Sequence, residues 1–243
     1  MRVSRLFIDT PLKTGAQVSL DADLLNYVSR VLRLKVGTEL TIFNGEGGEY
    51  SATITELHKK AGTIKVGTFS DTDLESPLNI TLAQGISRGE RMDYTLQKAV
   101  ELGVTHIVPL FTERCVVNLK GERLESRLHH WQGIVRSACE QCGRNTLPDV
   151  QSALSLNEWL KTGDAEHRLM LHAQSDKTFK NFGYQQGKIS LLIGPEGGLA
   201  DDERVKALSY GYQGVRMGPR ILRTETAGLA ALASLQSLYG DLT

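Results

Sequence analysis

The chain has 243 residues, 40% of them hydrophobic and 23% charged, with 28 basic and 28 acidic side chains balancing to zero formal charge. That length suffices for two modest domains, each with its own core. The charge balance excludes a protein that coats nucleic acid indiscriminately, because displacing counterions needs a large positive excess, but it leaves room for a local basic patch. The longest apolar runs fall short of the ~20 residues of a membrane span. The opening MRVSRLFIDTPLKTG has no apolar secretory core, so a cytoplasmic protein is expected. Three cysteines, an odd number, give no disulfide framework and suit a reducing compartment.

Residues 1–73 predict a small barrel-like β module. RLFID, QVSLD, ELTIFNG, EYSATITEL and GTIKVGTF are short runs rich in β-branched and aromatic residues, separated by glycine-bearing turns. NGEGGE, between two of them, is a hairpin signal. One helix interrupts, DADLLNYVSRVLRL, with Asp21 or Asp23 as its N-cap and Gly37 just past its end. The polar stretch SDTDLESP predicts a linker.

Residues 74–243 predict an α/β domain in which strands and helices alternate. LNITLAQGI, THIVPLF, HRLMLHA, KISLLIG and GVRMG are its strands. ERMDYTLQKAVELG, a long helix from about Glu122 to Cys142, SLNEWL with its Ser155–Glu158 capping box, and ETAGLAALASLQSLYG are its helices. Such alternation implies a parallel sheet covered on both faces, with ligands at the carboxyl ends of the strands.

Two Gly-Pro loops fall at such ends. GPEGG, Gly194 to Gly198, follows an apolar strand and precedes a helix with Asp201 and Asp202 in its first turn. It fits neither a dinucleotide fingerprint nor a phosphate loop, and its glycines let backbone approach a ligand closely. Glu196 and the aspartates would repel a phosphate, so the loop suits a cation, hydroxyls or a base edge. In MGPRILRTET, Met217 to Thr226, Pro219 holds Gly218 extended, Arg220 and Arg223 flank the apolar pair, and Thr224, Glu225 and Thr226 can cap the final helix. ACEQCGRN lacks the ligands of a structural zinc site, and its thiols close a helix at the end that disfavours a thiolate. Glu140, Arg144 and Asn145 there are better candidates for a polar site. SRVLRLK places Arg30, Arg33 and Lys35 near one helix face; with Arg2, Arg5, Lys59 and Lys60 they form a candidate RNA-phosphate surface, to which Arg88 of the second domain is added.

IGPEGG, MGPRILRTET, SRGERMDYTLQKAVELGVTHIVPLFTERC and ACEQCGRN, with RVLR in the first module, closely resemble the RsmE family, ribosomal RNA small subunit methyltransferase E. The resemblance covers essentially the whole chain. It implies the SPOUT class of S-adenosylmethionine-dependent methyltransferases: a C-terminal α/β domain with a trefoil knot, a PUA-like N-terminal barrel and a homodimer. Periodicity alone gives an ordinary doubly wound sheet, because knotted chains are very rare.

The implied reaction is methylation of N3 of one uridine in the decoding region of 16S rRNA, with no metal. The resemblance places the cofactor against Ile193, Gly194, Pro195, Glu196, Gly197, Gly198 and Leu199, and against Met217, Gly218, Pro219, Ile221, Leu222, Thr224, Thr226 and Ala227. Leu171 and His172 supply a third wall. Uracil N3 carries a proton at neutral pH, so the reaction wants a general base and a cation beside a carbonyl oxygen. Arg223, Arg220 and Arg144 are candidates for the cation, and Glu225, Glu140 and Glu196 for the base. A dehydrogenase is opposed by the missing fingerprint. A non-enzymatic RNA-binding adaptor that keeps the fold is opposed by the intact glycine loops.

Overall fold

The computed structural model describes residues 3–162 and 164–242. Arg2, a candidate RNA contact, lies outside the described residues. Compactness divides the chain into two units, Met1–Glu75 with Cys139–Leu147, and Ser76–Ala138 with Pro148–Thr243.

The first unit is built on strands β1 (Ser4–Phe7), β2 (Gln17–Ser19), β3 (Glu39–Phe43), β4 (Glu49–Leu57) and β5 (Gly62–Ser70), in the order β1-β3-β4-β5-β2. β1 runs parallel to β3 and the other pairs are antiparallel. Alternation sets the inner face: Ile64 and Val66 of β5 are buried while Lys65 between them is exposed. They pack with Leu6, Ile42, Ile54 and Val28 into one core.

The continuous helix expected over 21–34 is divided. α1 covers only Ala22–Asn26, capped by Asp21, whose Oδ1 accepts the Leu24 N–H at 2.8 Å. A π-helical turn, Tyr27–Val31, follows, and the Leu32 N–H reaches back five residues to the Tyr27 carbonyl at 2.9 Å. Arg33 then takes a left-handed backbone, φ 54°, and ends the segment before Gly37.

The second unit holds β6 (Ile80–Gly85), β7 (His106–Phe111), β8 (Asp149–Val150), β9 (Leu154–Ser155), β10 (His167–Leu171), β11 (Ile189–Ile193) and β12 (Gln213–Val215). Their order is β12-β10-β11-β6-β7-β8, with β9 also on β7, and every pairing is parallel. All five residues of β11 are buried, Ser190 among them, as a strand covered on both faces of a parallel sheet requires. β8 and β9, two residues each, are too short to show any period. β12 stops at Val215, earlier than GVRMG suggested, and Gly218, expected to be extended before Pro219, takes a left-handed backbone instead, φ 73°.

Helices α2 (Glu90–Glu101), α3 (Glu122–Cys142), α4 (Leu156–Thr162), α5 (Asp201–Ser209) and α6 (Thr224–Tyr239) complete the elements. α2 buries Met92, Leu96, Ala99 and Val100, a helical stripe. Trp131 of α3, 1% exposed, donates its indole N–H to Asp93 of α2 at 3.2 Å. Before α4 the capping box forms as read: the Glu158 carboxylate accepts the Ser155 N–H at 2.8 Å, and Ser155 Oγ accepts the Glu158 N–H at 3.2 Å. Among the described residues no helix is long and apolar enough to cross a membrane.

Candidate active site

Because β10, β11 and β12 are parallel neighbours, their carboxyl ends open at one edge of the sheet. The three following loops line a cavity of about 400 Å³. Leu171 and His172 come from the end of β10 and the first loop, Ile193 through Leu199 from the end of β11 and the second, and Met217, Gly218, Arg220, Ile221 and Leu222 from the third. Thr224 and Ala227 of α6 close the wall.

The GPEGG loop is shaped by close backbone packing. A Cβ on Gly194 would lie 2.8 Å from the Leu199 nitrogen and 2.9 Å from the Gly198 carbonyl carbon. One on Gly85, at the end of β6, would lie 2.5 Å from the Pro195 nitrogen. The loop tip is held electrostatically. Glu196 Oε1 accepts the Arg88 backbone N–H at 2.9 Å and pairs with Arg91 at 3.1 Å. Desolvation pushes the Glu196 carboxyl up, but these hydrogen bonds outweigh it and hold the group below the ordinary carboxylate range. Arg114 donates to the Gly197 carbonyl at 3.1 Å and Arg204 to the Leu199 carbonyl at 2.6 Å.

At the start of α6 the structure corrects one reading. Thr224 does not cap the helix: the N-cap is Arg223, whose side chain makes no cap bond. The Thr224 hydroxyl instead donates to the Gly194 carbonyl at 2.7 Å, tying the two Gly-Pro loops together.

Most residues proposed for the cofactor therefore line one cavity. Pro219 and Thr226 do not, nor do Arg223 and Glu225, although both follow the third loop directly. Arg223 is exposed, and Glu225 is half-buried with Oε2 sealed from solvent and unpartnered. Arg114, Ala173, Gln174, Arg204 and Val215 line the cavity without having been picked out. Ala173, Gln174 and Val215 merely continue segments already chosen, Arg204 reaches back to the loop from the helix that follows it, and Arg114, distant in sequence, reaches it only through the fold.

Glu140 and Arg144 belong to the first unit and are held there. Glu140 accepts the Phe7 N–H at 3.0 Å. Arg144, 5% exposed, donates Nε to Glu75 at 2.9 Å and forms a second hydrogen bond from Nη2 to the same carboxylate oxygen. Glu75 is 23% exposed, so breaking the pair strands a partly solvated charge, at a cost of about 1–3 kcal/mol. Arg144→Ala is accordingly expected to lower the thermal midpoint of the protein by several degrees, whatever it does to turnover. Scanning calorimetry that shows an unshifted midpoint would return Arg144 to the catalytic candidates.

Arg5 is likewise drawn inward, against its reading as an RNA contact. It pairs with Glu49, donates to Asn145 Oδ1 at 2.7 Å and to the Gly143 carbonyl at 3.1 Å, and lies over the Phe43 ring. Arg30, Arg33 and Lys35 are exposed, and the side chain of Arg88 is too. The cysteines are free thiols. Burial pushes Cys139 up to about 12, so it carries no thiolate near neutrality. No group of three or more His, Cys, Asp or Glu among the described residues is arranged around a metal position.

Comparison with known proteins matches two stretches of the chain. The family described as RNA methyltransferase domain matches residues 74–236, and that described as RNA methyltransferase PUA domain matches residues 20–67. The ribosomal RNA small subunit methyltransferase E of Buchnera aphidicola subsp. Acyrthosiphon pisum is 36% identical over 243 residues, covering 99% of this chain and 95% of the relative. The chain belongs to the RsmE family of RNA methyltransferases. Among solved structures, the family member of Neisseria gonorrhoeae, bound to S-adenosyl methionine, superposes with a TM-score of 0.96 at 43% identity, covering both chains completely. A methyltransferase of Legionella pneumophila, in complex with the same cofactor, gives 0.97 at 38% identity, again over 100% of both chains.

Proposed function

We propose that the protein is an S-adenosylmethionine-dependent rRNA methyltransferase that modifies N3 of one uridine in the decoding region of 16S rRNA. The observation that carries the reading is the glycine-built cavity at the ends of three adjacent parallel strands, in a chain whose structural neighbours are named for the same cofactor.

The residues present fit that cofactor. Leu171, Ile193, Leu199 and Leu222 offer apolar walls for a purine, and Gly194 brings backbone to the wall where any side chain would clash. Asp201, Asp202 and Glu203 in the first turn of α5 oppose a phosphate, while the carboxylate of Glu196 tolerates a cation. When bound, S-adenosylmethionine supplies an electrophilic methyl group carried on a sulfonium.

This chain's part is to position the uracil and manage its N3 proton. Glu196 is a weak base, since Arg88 and Arg91 hold its carboxyl below the ordinary range. Glu225 follows the third cavity loop, and its buried Oε2 has no hydrogen-bond partner, so it would take that proton once substrate binding opens the oxygen to the cavity. Arg223, with Arg220 on the cavity wall, supplies donors for a uracil carbonyl as negative charge develops. The reading also includes a trefoil-knotted C-terminal segment and a homodimer. The order β12-β10-β11, which sets three loops side by side, supports the first. The second rests on the family resemblance alone.

Transfer of labelled methyl to undermethylated small ribosomal subunits, followed by nucleoside analysis, tests the whole. Label in 3-methyluridine is expected. Cofactor binding without transfer to any RNA would make the protein an adaptor, and label at another nucleoside would overturn the assigned position.

Residues 1–73 position RNA in this reading, leaving cofactor chemistry to residues 74–243. Arg30 and Arg33 are exposed, and Arg33 keeps an uncommon left-handed backbone for a non-glycine residue. Replacing both with alanine is expected to weaken binding of the ribosomal substrate and to flatten its log–log salt dependence by up to ~0.9 per lost phosphate contact. Cofactor affinity should not change. A double variant with the parent's RNA affinity and salt slope would show that the patch is a solvated face.

A further inference from the structure

β6 carries a polar side chain in its buried half. Gln84 is 0% exposed and sits opposite Ile193 of β11. An amide there is costly unless its hydrogen bonds are made. Gln84 Nε2 donates to the Gly85 carbonyl at 3.0 Å and to Thr224 Oγ1 at 3.0 Å. A carbonyl can only accept, so the Gly85 contact fixes which way the amide faces. The Thr224 hydroxyl, having accepted, donates onward to the Gly194 carbonyl at 2.7 Å. One string thus joins the end of β6, the first residue of α6 and the first residue of the GPEGG loop. Thr224 and Gly194 line the cavity; Gln84 does not.

The other end of the amide sharpens the point. Gln84 Oε1 is buried and has no hydrogen-bond partner. It faces Gly228 of α6, where a Cβ would come within 3.3 Å of it. An apolar side chain of similar length would avoid this unmade acceptor altogether. Its retention makes sense if the two donated bonds serve the cavity.

We infer that Gln84 is a positioning residue for the cofactor cavity. It orients the Thr224 hydroxyl and, through it, the Gly194 carbonyl, so that both Gly-Pro loops stand at their binding separation before a ligand arrives. Preorganisation of this kind strengthens binding by removing an ordering cost. The inference rests on the assignment of the cavity to S-adenosylmethionine.

A double-mutant cycle tests it. Gln84→Met keeps length without donors, and Thr224→Val keeps shape without a hydroxyl. Each is expected to raise the Kd for S-adenosylmethionine by about tenfold, the loss of one buried hydrogen-bonded link. The double variant should bind no worse than the weaker single, because one string is cut in either place. The loss should appear in the cofactor KM rather than in kcat, and Thr224→Ser should recover most of it. Gln84→Asn, one methylene too short to reach Thr224, serves if Gln84→Met does not fold. Effects that multiply across the cycle, or a lowered thermal midpoint with an unchanged Kd, would overturn the inference and leave Gln84 a structural residue. Hydrogen exchange separates this failure from that of the cofactor reading. Amides of residues 194–199 in the free protein should exchange faster in Gln84→Met, and unchanged exchange overturns the inference. A parent protein that binds no S-adenosylmethionine sinks the cofactor assignment alone.

Discussion

Gly194→Ala is expected to weaken S-adenosylmethionine binding about a hundredfold while the protein stays folded. The added Cβ would lie 2.8 Å from the Leu199 nitrogen and 3.0 Å from the Gly198 Cα, and the nearest atoms all belong to backbone. No side chain can rotate away, so the loop itself must open. Overpacking of this sort costs about 1–3 kcal/mol, and about 1.4 kcal/mol is a factor of ten in affinity. Opening the loop also stretches the Thr224–Gly194 hydrogen bond, so the upper end of that range applies. Gly197→Ala should be milder: its tightest contact is a single one, with Arg114 Cβ at 3.0 Å, which a shift of a few tenths of an ångström relieves. Gly133 of α3 is the control, with nothing within 4 Å of its Cβ position. Gly133→Ala should raise stability by up to about 1 kcal/mol through helix propensity and leave binding alone. Calorimetric titration of the three variants decides the matter. Parent-like affinity for Gly194→Ala would remove the GPEGG loop from the cofactor site.

What the sequence made legible was whatever repeats locally. The apolar run of β11, the stripe of α2 and the capping box before α4 each depend on neighbours within a few residues, and each appears in the structure. The cavity walls were legible for a related reason: a glycine cluster after a buried strand marks backbone that something must approach. Hydrogen-bond partners distant in sequence were not legible, because sheet order chooses them. Gln84 and Thr224 are 140 residues apart and meet only because β6 lies beside β11. The same holds for Arg5 and Arg144, whose charge suggested ligands. Glu49 and Glu75 take up those charges, and neither partner is near in sequence. The divided helix over 21–34 shows the reverse error. Its apolar residues keep a helical period, yet burying Val28 is achieved through a π turn that periodicity does not register.

Arg223→Ala is expected to lower the single-turnover methylation rate by about a hundredfold, with cofactor affinity nearly unchanged. Arg223 is the N-cap of α6, exposed, and in no ion pair among the described residues. That is a poor place for a cation, since the helix dipole puts partial positive charge there, and arginine is not a favoured capping residue. A purely structural arginine would be expected to find a carboxylate, and Glu225, two residues on, does not pair with it. An unpaired guanidinium kept at an unfavourable helix end, between the third cavity loop and a buried carboxylate oxygen, fits a group that waits for an anion. The uracil ring becomes one as N3 loses its proton. Removing one preorganised donor to such an anion costs about 3 kcal/mol of barrier. Arg223→Lys should recover only part of the rate, because an ammonium lacks the planar fork. Thermal stability supplies the second readout. Loss of the cation should leave the midpoint of unfolding unchanged or slightly higher, by the few tenths of a kcal/mol that the dipole disfavours, whereas a structural role would lower it. Near-normal turnover of Arg223→Ala at saturating cofactor would end the assignment and transfer the role to Arg220, which lines the cavity itself.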